Sequence, residues 1–233
     1  MNAKLHKSNE RGKAEHSWLS SRFSFSFASY YDKERMGFGA LRVINDDIIA
    51  PFQGFDMHPH ENMEIITLVL IGALEHKDSA GNHGIIYPGD LQYMSAGNGV
   101  FHSEFSASSE PTTLFQIWIY PHTKGGNPQY KECKINQDYT PNQWKKLVSG
   151  NEDACIQIKQ NAAIYRAELS KGISLSLPNV DEGVGRLILV VEGDFQIGSF
   201  TLNRRDELQI TDSEDYLLEA IEEGSVLVFE VPL

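Results

Sequence analysis

Two short triplets carry the side chains best suited to chemistry. His58-Pro59-His60 sets two imidazoles at positions i and i+2, and on an extended strand such residues point to one side and can grip a single ion together. Pro59 cannot donate to a central ladder, so the pair is expected at a strand end or sheet edge, where a barrel mouth opens. Taken alone, this triplet reads better as two surface or turn histidines than as a metal grip. Directly after the turn Gly97-Asn98-Gly99, however, His102-Ser103-Glu104 repeats the spacing. If both strands line one barrel, His58, His60, His102 and Glu104 converge, and three imidazoles with one carboxylate make a transition-metal site. Metal binding is the leading expectation.

The other titratable groups lack this arrangement. His6 and His16 lie in a polar amino-terminal stretch, and His76, His83 and His122 stand near turn signals, so all five are expected at the surface, with His76 or His83 as alternatives for lining the cavity. Glu61 and Glu64 follow the histidine pair closely. Glu64 shares strand parity with residues 58 and 60 and is the better candidate for a carboxylate that orients a ligating histidine; a purely structural role stays open. No histidine follows His122, so the second half cannot repeat the site.

The elements that must position these residues read as strands. Phe23 to Phe27 alternates apolar and polar residues, and β-branched or aromatic runs recur at 41–44, 64–71, 114–120, 173–177, 187–191 and 226–231. Turn signals such as Pro88-Gly89-Asp90 and Gly125-Gly126-Asn127-Pro128 separate them, which predicts an all-β sandwich or barrel. One short helix is expected over Thr140 to Leu147, opened by Thr140 with Pro141 in its first turn. The halves are distantly alike: residues 68–74 can be laid on 189–195, and 90–94 on 206–210. That pattern fits duplication, with chance likeness between two β-rich stretches as the alternative. In this alignment His58 and His60 fall opposite Asn179 and Asp181, and His102 and Glu104 opposite Leu218 and Ala220, while the acidic run 212–215 reads as a solvated turn.

Composition bounds the function. The 233 residues suit two β modules of ~100 residues each, and a formal charge of −12 with only isolated basic pairs, Lys145-Lys146 and Arg204-Arg205, argues against direct nucleic-acid binding. The first twenty residues hold no apolar signal core and no run approaches a membrane span. Cys133 and Cys155 are the only cysteines and are read as ordinary thiols, which fits a reducing cytoplasm.

At this point the pattern resembles the cupin superfamily. Gly54, His58, His60, Glu64 and Gly72 echo the first cupin motif with altered spacing, and Gly97, Gly99 and His102 echo the second, with Glu104 two residues beyond the histidine. The segments 54–60 and 94–104 are similar to the pirin family, and residues 36–47 and Gln116-Ile117-Trp118-Ile119 add to the likeness, particularly to short bacterial pirins described as quercetin 2,3-dioxygenases. The likeness is strong from residue 10 to 132 and weaker beyond.

The resemblance implies two tandem cupin barrels: a metal-bearing one at 1–130, a connector at 131–155 and a metal-free one at 156–233. It implies one divalent ion, usually Fe(II), although three imidazoles and a carboxylate also accept Mn, Co, Ni, Cu or Zn. It further implies a flavonol such as quercetin and O2 as substrates, carbon monoxide as a product and Glu104 as the group that takes the substrate's proton. The alternative it leaves is a non-enzymatic, iron-dependent regulator that binds a transcription factor or metabolic enzyme. The chain is expected to act as a monomer.

Overall fold

The computed structural model describes residues 1–135, 140–151 and 153–233. In chain order the first strands are β1 (Ala3–His6), β2 (Gly12–Glu15), β3 (Leu19–Phe23), β4 (Leu41–Ile49), β5 (Gly54–His60), β6 (Glu64–Ile71), β7 (Leu74–Asp78), β8 (His83–Ile86), β9 (Asp90–Ser95), β10 (Val100–Ser106), β11 (Thr112–Ile119) and β12 (Gln129–Lys134). They are followed by β13 (Lys145–Ser149), β14 (Ile156–Gln157), β15 (Ala163–Leu169), β16 (Ser174–Ser176), β17 (Val184–Glu192), β18 (Phe195–Ile197), β19 (Phe200–Leu202), β20 (Glu207–Ile210), β21 (Leu217–Ala220) and β22 (Gly224–Pro232). A single 3-10 turn, Ser8–Glu10, is the one helical element among the described residues. No helix among them is long and apolar enough to cross a membrane.

The strands make two like units. A seven-stranded sheet ordered β12-β9-β6-β11-β4-β3-β2 faces a four-stranded sheet β5-β10-β7-β8, and the second unit repeats this as β1-β20-β17-β22-β15-β13-β14 facing β16-β21-β18-β19. The orders correspond position by position. Each unit carries a glycine at positive φ after its central strand, Gly72 at 79° and Gly193 at 84°, where a Cβ would strike the Thr112 hydroxyl in the first unit and the Glu223 backbone in the second. The amino-terminal strand crosses over: β1 pairs with β20, so residues 3–6 belong to the second unit's sheet.

Continuous apolar runs mark the central strands because both of their faces are covered. Ile66, Leu68, Phe115 and Ile117 pack in one cluster with Leu187, Leu189, Leu227 and Phe229, so the two large sheets lie back to back. The opposite faces fill the barrels. Glu64 points into this shared core rather than toward the histidines: it accepts hydrogen bonds from Tyr93 Oη (2.6 Å), Ser95 Oγ (2.7 Å) and the Lys159 amide (2.9 Å). Its parity with residues 58 and 60 misleads because those residues sit on β5, in a different sheet.

Several expectations need correction. The helix expected over residues 140–147 is absent: Asn142 sits in a turn at φ 62°, its amide donates to Glu168 O, and Lys145–Ser149 pairs with β15, which buries Leu147 and Val148 completely. The strand expected over 23–27 ends at Phe23, because the buried Ser24 hydroxyl accepts from Arg11 and donates to Glu207 on the second unit. Within the expected connector 131–155, residues 136–139 and 152 lie outside the described residues.

Cys133 and Cys155 are not free thiols. They form a disulfide with Cα atoms 6.1 Å apart, joining β12 of the first unit to the approach to β14 of the second. Neither the spacing nor a motif signals this pairing, which exists only because the fold brings the units together; the expectation of a reducing compartment loses the support it drew from free thiols. The bond closes a loop of 22 residues in sequence separation. Such a constraint on the unfolded chain contributes about 3 kcal/mol. Reduction, or Cys155→Ser, should therefore lower Tm by roughly 10 °C for a chain of this size, read by calorimetry, with intact-mass spectrometry reporting the two hydrogens gained on reduction. An unchanged Tm after verified reduction would show that the bond adds nothing.

Candidate metal centre

The histidine triplet lies on β5, the edge of its sheet, as Pro59 requires. β10 pairs antiparallel to it with His102 directly opposite His58, so the i, i+2 pair and its cross-strand neighbour project together. A bulge between His102 and Glu104 shifts the register and re-aims the carboxylate, a device common beside active sites. Ring centroids are 4.9 Å apart for His58 and His60, 4.4 Å for His58 and His102, and 4.8 Å for His60 and His102. All three imidazoles and Glu104 line one cavity of about 330 Å³.

The grouping of ligand atoms is more divided than the triplets alone imply. One cluster joins His58, His60 and His102, and a second joins His102, Glu104 and His76. His102 belongs to both. His76, expected at the surface, is fully buried: its ring stacks on Tyr130 at 4.8 Å and lies 5.3 Å from that of His102, with Nε2 3.4 Å from Asp78 Oδ2. The turn that follows β7 hides this placement in the sequence. His6 is also buried, on β1, whereas His83 is exposed and pairs with Glu75.

The donor set fits a metal ion. His102 is 1% exposed, and neither of its ring nitrogens has a hydrogen-bond partner. Leaving such a group unsatisfied costs roughly 1–3 kcal/mol per polar atom, so a ligand for at least one nitrogen is expected. Burial, reinforced by the neighbouring histidines, pushes the His60 and His102 imidazoles down to about 3, so both are neutral with lone pairs free. His58 Nδ1 lies 2.8 Å from Asp56 O, which fixes its ring and leaves Nε2 for an ion. Glu104 is held as well: Gln116 Nε2 donates to Oε2 at 2.8 Å and Thr67 Oγ1 to Oε1 at 3.4 Å.

The inward faces of β3, β4 and β11 extend this polar belt. Gln116 stands opposite Thr67 on β6 and Asn45 on β4, and Asp47 lies two residues further along. Asp47 accepts from Ser21 Oγ, and burial pushes its carboxyl up to about 7. Trp18, Phe23, Phe27, Phe55 and Trp118 make most of the remaining cavity wall, alongside Ala14, Leu19, Ala28 and the exposed His16. Asn45 Oδ1 and Trp118 Nε1 are buried there without partners. Sequence reasoning missed Asn45, Asp47 and Gln116, yet a signal existed: each is a polar residue that shares its strand parity with apolar neighbours, Val43 and Ile49 on β4 and Leu114 on β11.

Among the described residues the second barrel has no counterpart to this belt. From the turn glycines and strand registers, Thr67, His76 and Gln116 correspond to Ile188, Ile197 and Val228, all completely buried in one apolar cluster. Pairing on β7 and β18 also moves the self-alignment by two residues: Glu104 corresponds to Leu218 and Ser106 to Ala220.

Two antiparallel barrels packed sheet to sheet, one with a polar histidine-lined cavity and one filled with hydrocarbon, define a bicupin. The chain belongs to the pirin family: the model described as Pirin matches residues 4–119, and that described as Quercetinase C-terminal cupin domain matches residues 147–231. It is 42% identical over 231 residues to quercetin 2,3-dioxygenase of Escherichia coli K12, covering 98% of each chain. It is 38% identical to a pirin-like protein of Caulobacter vibrioides, covering 94% and 95%. The crystal structure of the bacterial pirin YhhW of E. coli in complex with nickel(II) superposes with a TM-score of 0.92 at 39% identity over 99% of both chains. A single metal ion fits this family and cluster.

Replacing His58 and His102 together by alanine should abolish stoichiometric metal, measured by inductively coupled plasma mass spectrometry on folded protein. Undiminished metal would place the site elsewhere.

Proposed function

We propose that the chain is a metal-dependent dioxygenase that cleaves a flavonol such as quercetin with O2 and releases carbon monoxide, using Fe(II) held by His58, His60, His102 and Glu104. The observation that carries the proposal is the pairing of unsatisfied His102 nitrogens with an aromatic-walled cavity of about 330 Å³, a size suited to a small planar ligand. Four protein ligands would leave up to two positions on an octahedral ion for substrate oxygen and dioxygen. Such an ion supplies Lewis acidity and one-electron redox capacity.

The protein's own part is positioning and proton transfer. Trp18, Phe55 and Trp118 offer ring faces and edges to a planar phenolic and exclude water. Glu104, kept in place by Gln116 and Thr67, takes the proton of the flavonol 3-hydroxyl. Asn45 Oδ1 accepts, and Trp118 Nε1 donates, hydrogen bonds to substrate hydroxyl groups remote from the reacting ring, which would satisfy both orphaned atoms.

Glu104→Gln should keep the fold and part of the metal while lowering flavonol turnover at least ~100-fold, the lower range for a lost general base; wild-type oxygen consumption by this variant would remove the proton role. Asn45→Leu should raise KM about tenfold for a polyhydroxylated flavonol, consistent with loss of one buried hydrogen bond, and leave KM unchanged for an analogue without hydroxyls on its pendant ring. An equal rise for both would mean that Asn45 shapes the cavity without recognising hydroxyl groups. If substrate-dependent oxygen uptake is absent in metal-replete protein, the enzyme assignment fails and the regulator alternative takes its place.

A further inference from the structure

A second cleft lies remote from the histidines. It measures about 620 Å³ and lies where the outward faces of β3 and β4 meet the end of β17 and the turn before β20. Five of the eight arginines in the sequence line it: Arg11, Arg22, Arg166, Arg204 and Arg205. Among the described residues only two carboxylates, Asp46 and Glu192, share that lining, in a chain whose formal charge is −12. No lysine takes part, and guanidinium groups are the donors that grip phosphate or carboxylate in pairs of hydrogen bonds.

The ion pairs already present fall into two kinds. Arg11 and Arg205 are fixed from behind, Arg11 by Glu207 (3.2 Å) and Arg205 by Asp46 (2.7 Å), so their positions are set before any ligand arrives. Arg22, Arg166 and Arg204 pair with Glu15, Glu168 and Glu192, whose side chains are 53%, 44% and 55% exposed. Exposed pairs of this sort contribute little to stability and yield readily to a competing dianion. Three buried donors of these arginines remain without hydrogen bonds: Arg11 Nε, 3.2 Å from Glu207 Oε1, Arg11 Nη1, 3.6 Å from Asp46 Oδ2, and Arg166 Nε. Arg11 itself is 5% exposed. Beside the guanidiniums, Ile48 and Ile71 stand 46% and 58% exposed on the same wall, an apolar platform next to the charge.

We propose that this cleft between the two barrels is a binding site for a soluble organic phosphate, its phosphate groups held by Arg11, Arg22, Arg166, Arg204 and Arg205 and its apolar part resting on Ile48 and Ile71. Because Arg22 comes from the first unit and Arg166 and Arg204 from the second, the ligand clamps the units together and stabilises the folded chain. Strand alternation relates the site to the metal cavity: Asp46 faces the cleft, while its neighbours Asn45 and Asp47 face the histidines.

The test uses the full-length metal-replete protein titrated at constant ionic strength with inorganic pyrophosphate and, separately, ATP, followed by calorimetry and thermal shift. Saturable one-to-one binding with a raised Tm is expected, tighter for ATP than for pyrophosphate. Arg166→Gln and Arg204→Gln, both distant from the metal cavity and checked by unchanged metal content, should each weaken it about tenfold, while Lys171→Gln should not. Absence of saturation with either probe, equal affinity in the arginine variants, or an equal effect from chloride at matched ionic strength would overturn the proposal. So would sedimentation with phosphatidylglycerol vesicles in place of binding to free phosphate, which would assign the arginines to a lipid surface.

Discussion

The structure depends on keeping ionisable groups inside an apolar barrel. His102, His76, Glu104 and Asp47 are nearly or wholly out of water, between one apolar cluster built on Leu19, Ile49 and Leu114 and another built on Met63, Ile65 and Met94. Hydrogen bonds satisfy Glu104 and Asp47, but His102 has none. Against a net stability of about 5–15 kcal/mol, two orphaned nitrogens at roughly 1–3 kcal/mol each are a serious loss. An ion at a thousand times its dissociation constant returns about 4 kcal/mol. The same magnitudes explain the second barrel, where Ile188, Ile197, Leu218 and Val228 close the space with hydrocarbon and no ligand is needed.

Alternation along a few strands then distributes every task. On β4, Ile44 enters the core between the two large sheets, Asn45 and Asp47 face the histidine cavity, and Asp46 faces the arginine cleft. A register slip of one residue would exchange these assignments, which is why the central strands are held on both sides. The back-to-back core, the exchanged strand β1 and the Cys133–Cys155 bond make the two barrels one mechanical unit.

Much of this was legible from local pattern. The period-two strands, the edge position of Pro59 and the convergence of His58, His60 and His102 follow from side-chain direction along an extended chain. What sequence could not supply was adjacency between distant strands. His76 reads as a turn residue until Tyr130 covers it, Glu64 shares parity with the ligands yet faces the other core, and the cysteines lie in different units until the fold joins them. The helix expected at residues 140–147 failed because pairing with β15 outweighed a local start signal.

Everything rests on one ion taking a ring nitrogen of His102. An anomalous-diffraction map from crystals of the protein as purified, collected at the absorption edge of the metal found in it, tests this directly. The account predicts one peak per chain with nitrogens of His58, His60 and His102 and an oxygen of Glu104 at ~2.0–2.2 Å, the usual span for such ligands. A map with no peak there, with the His102 nitrogens bonded to water or protein instead, would contradict it.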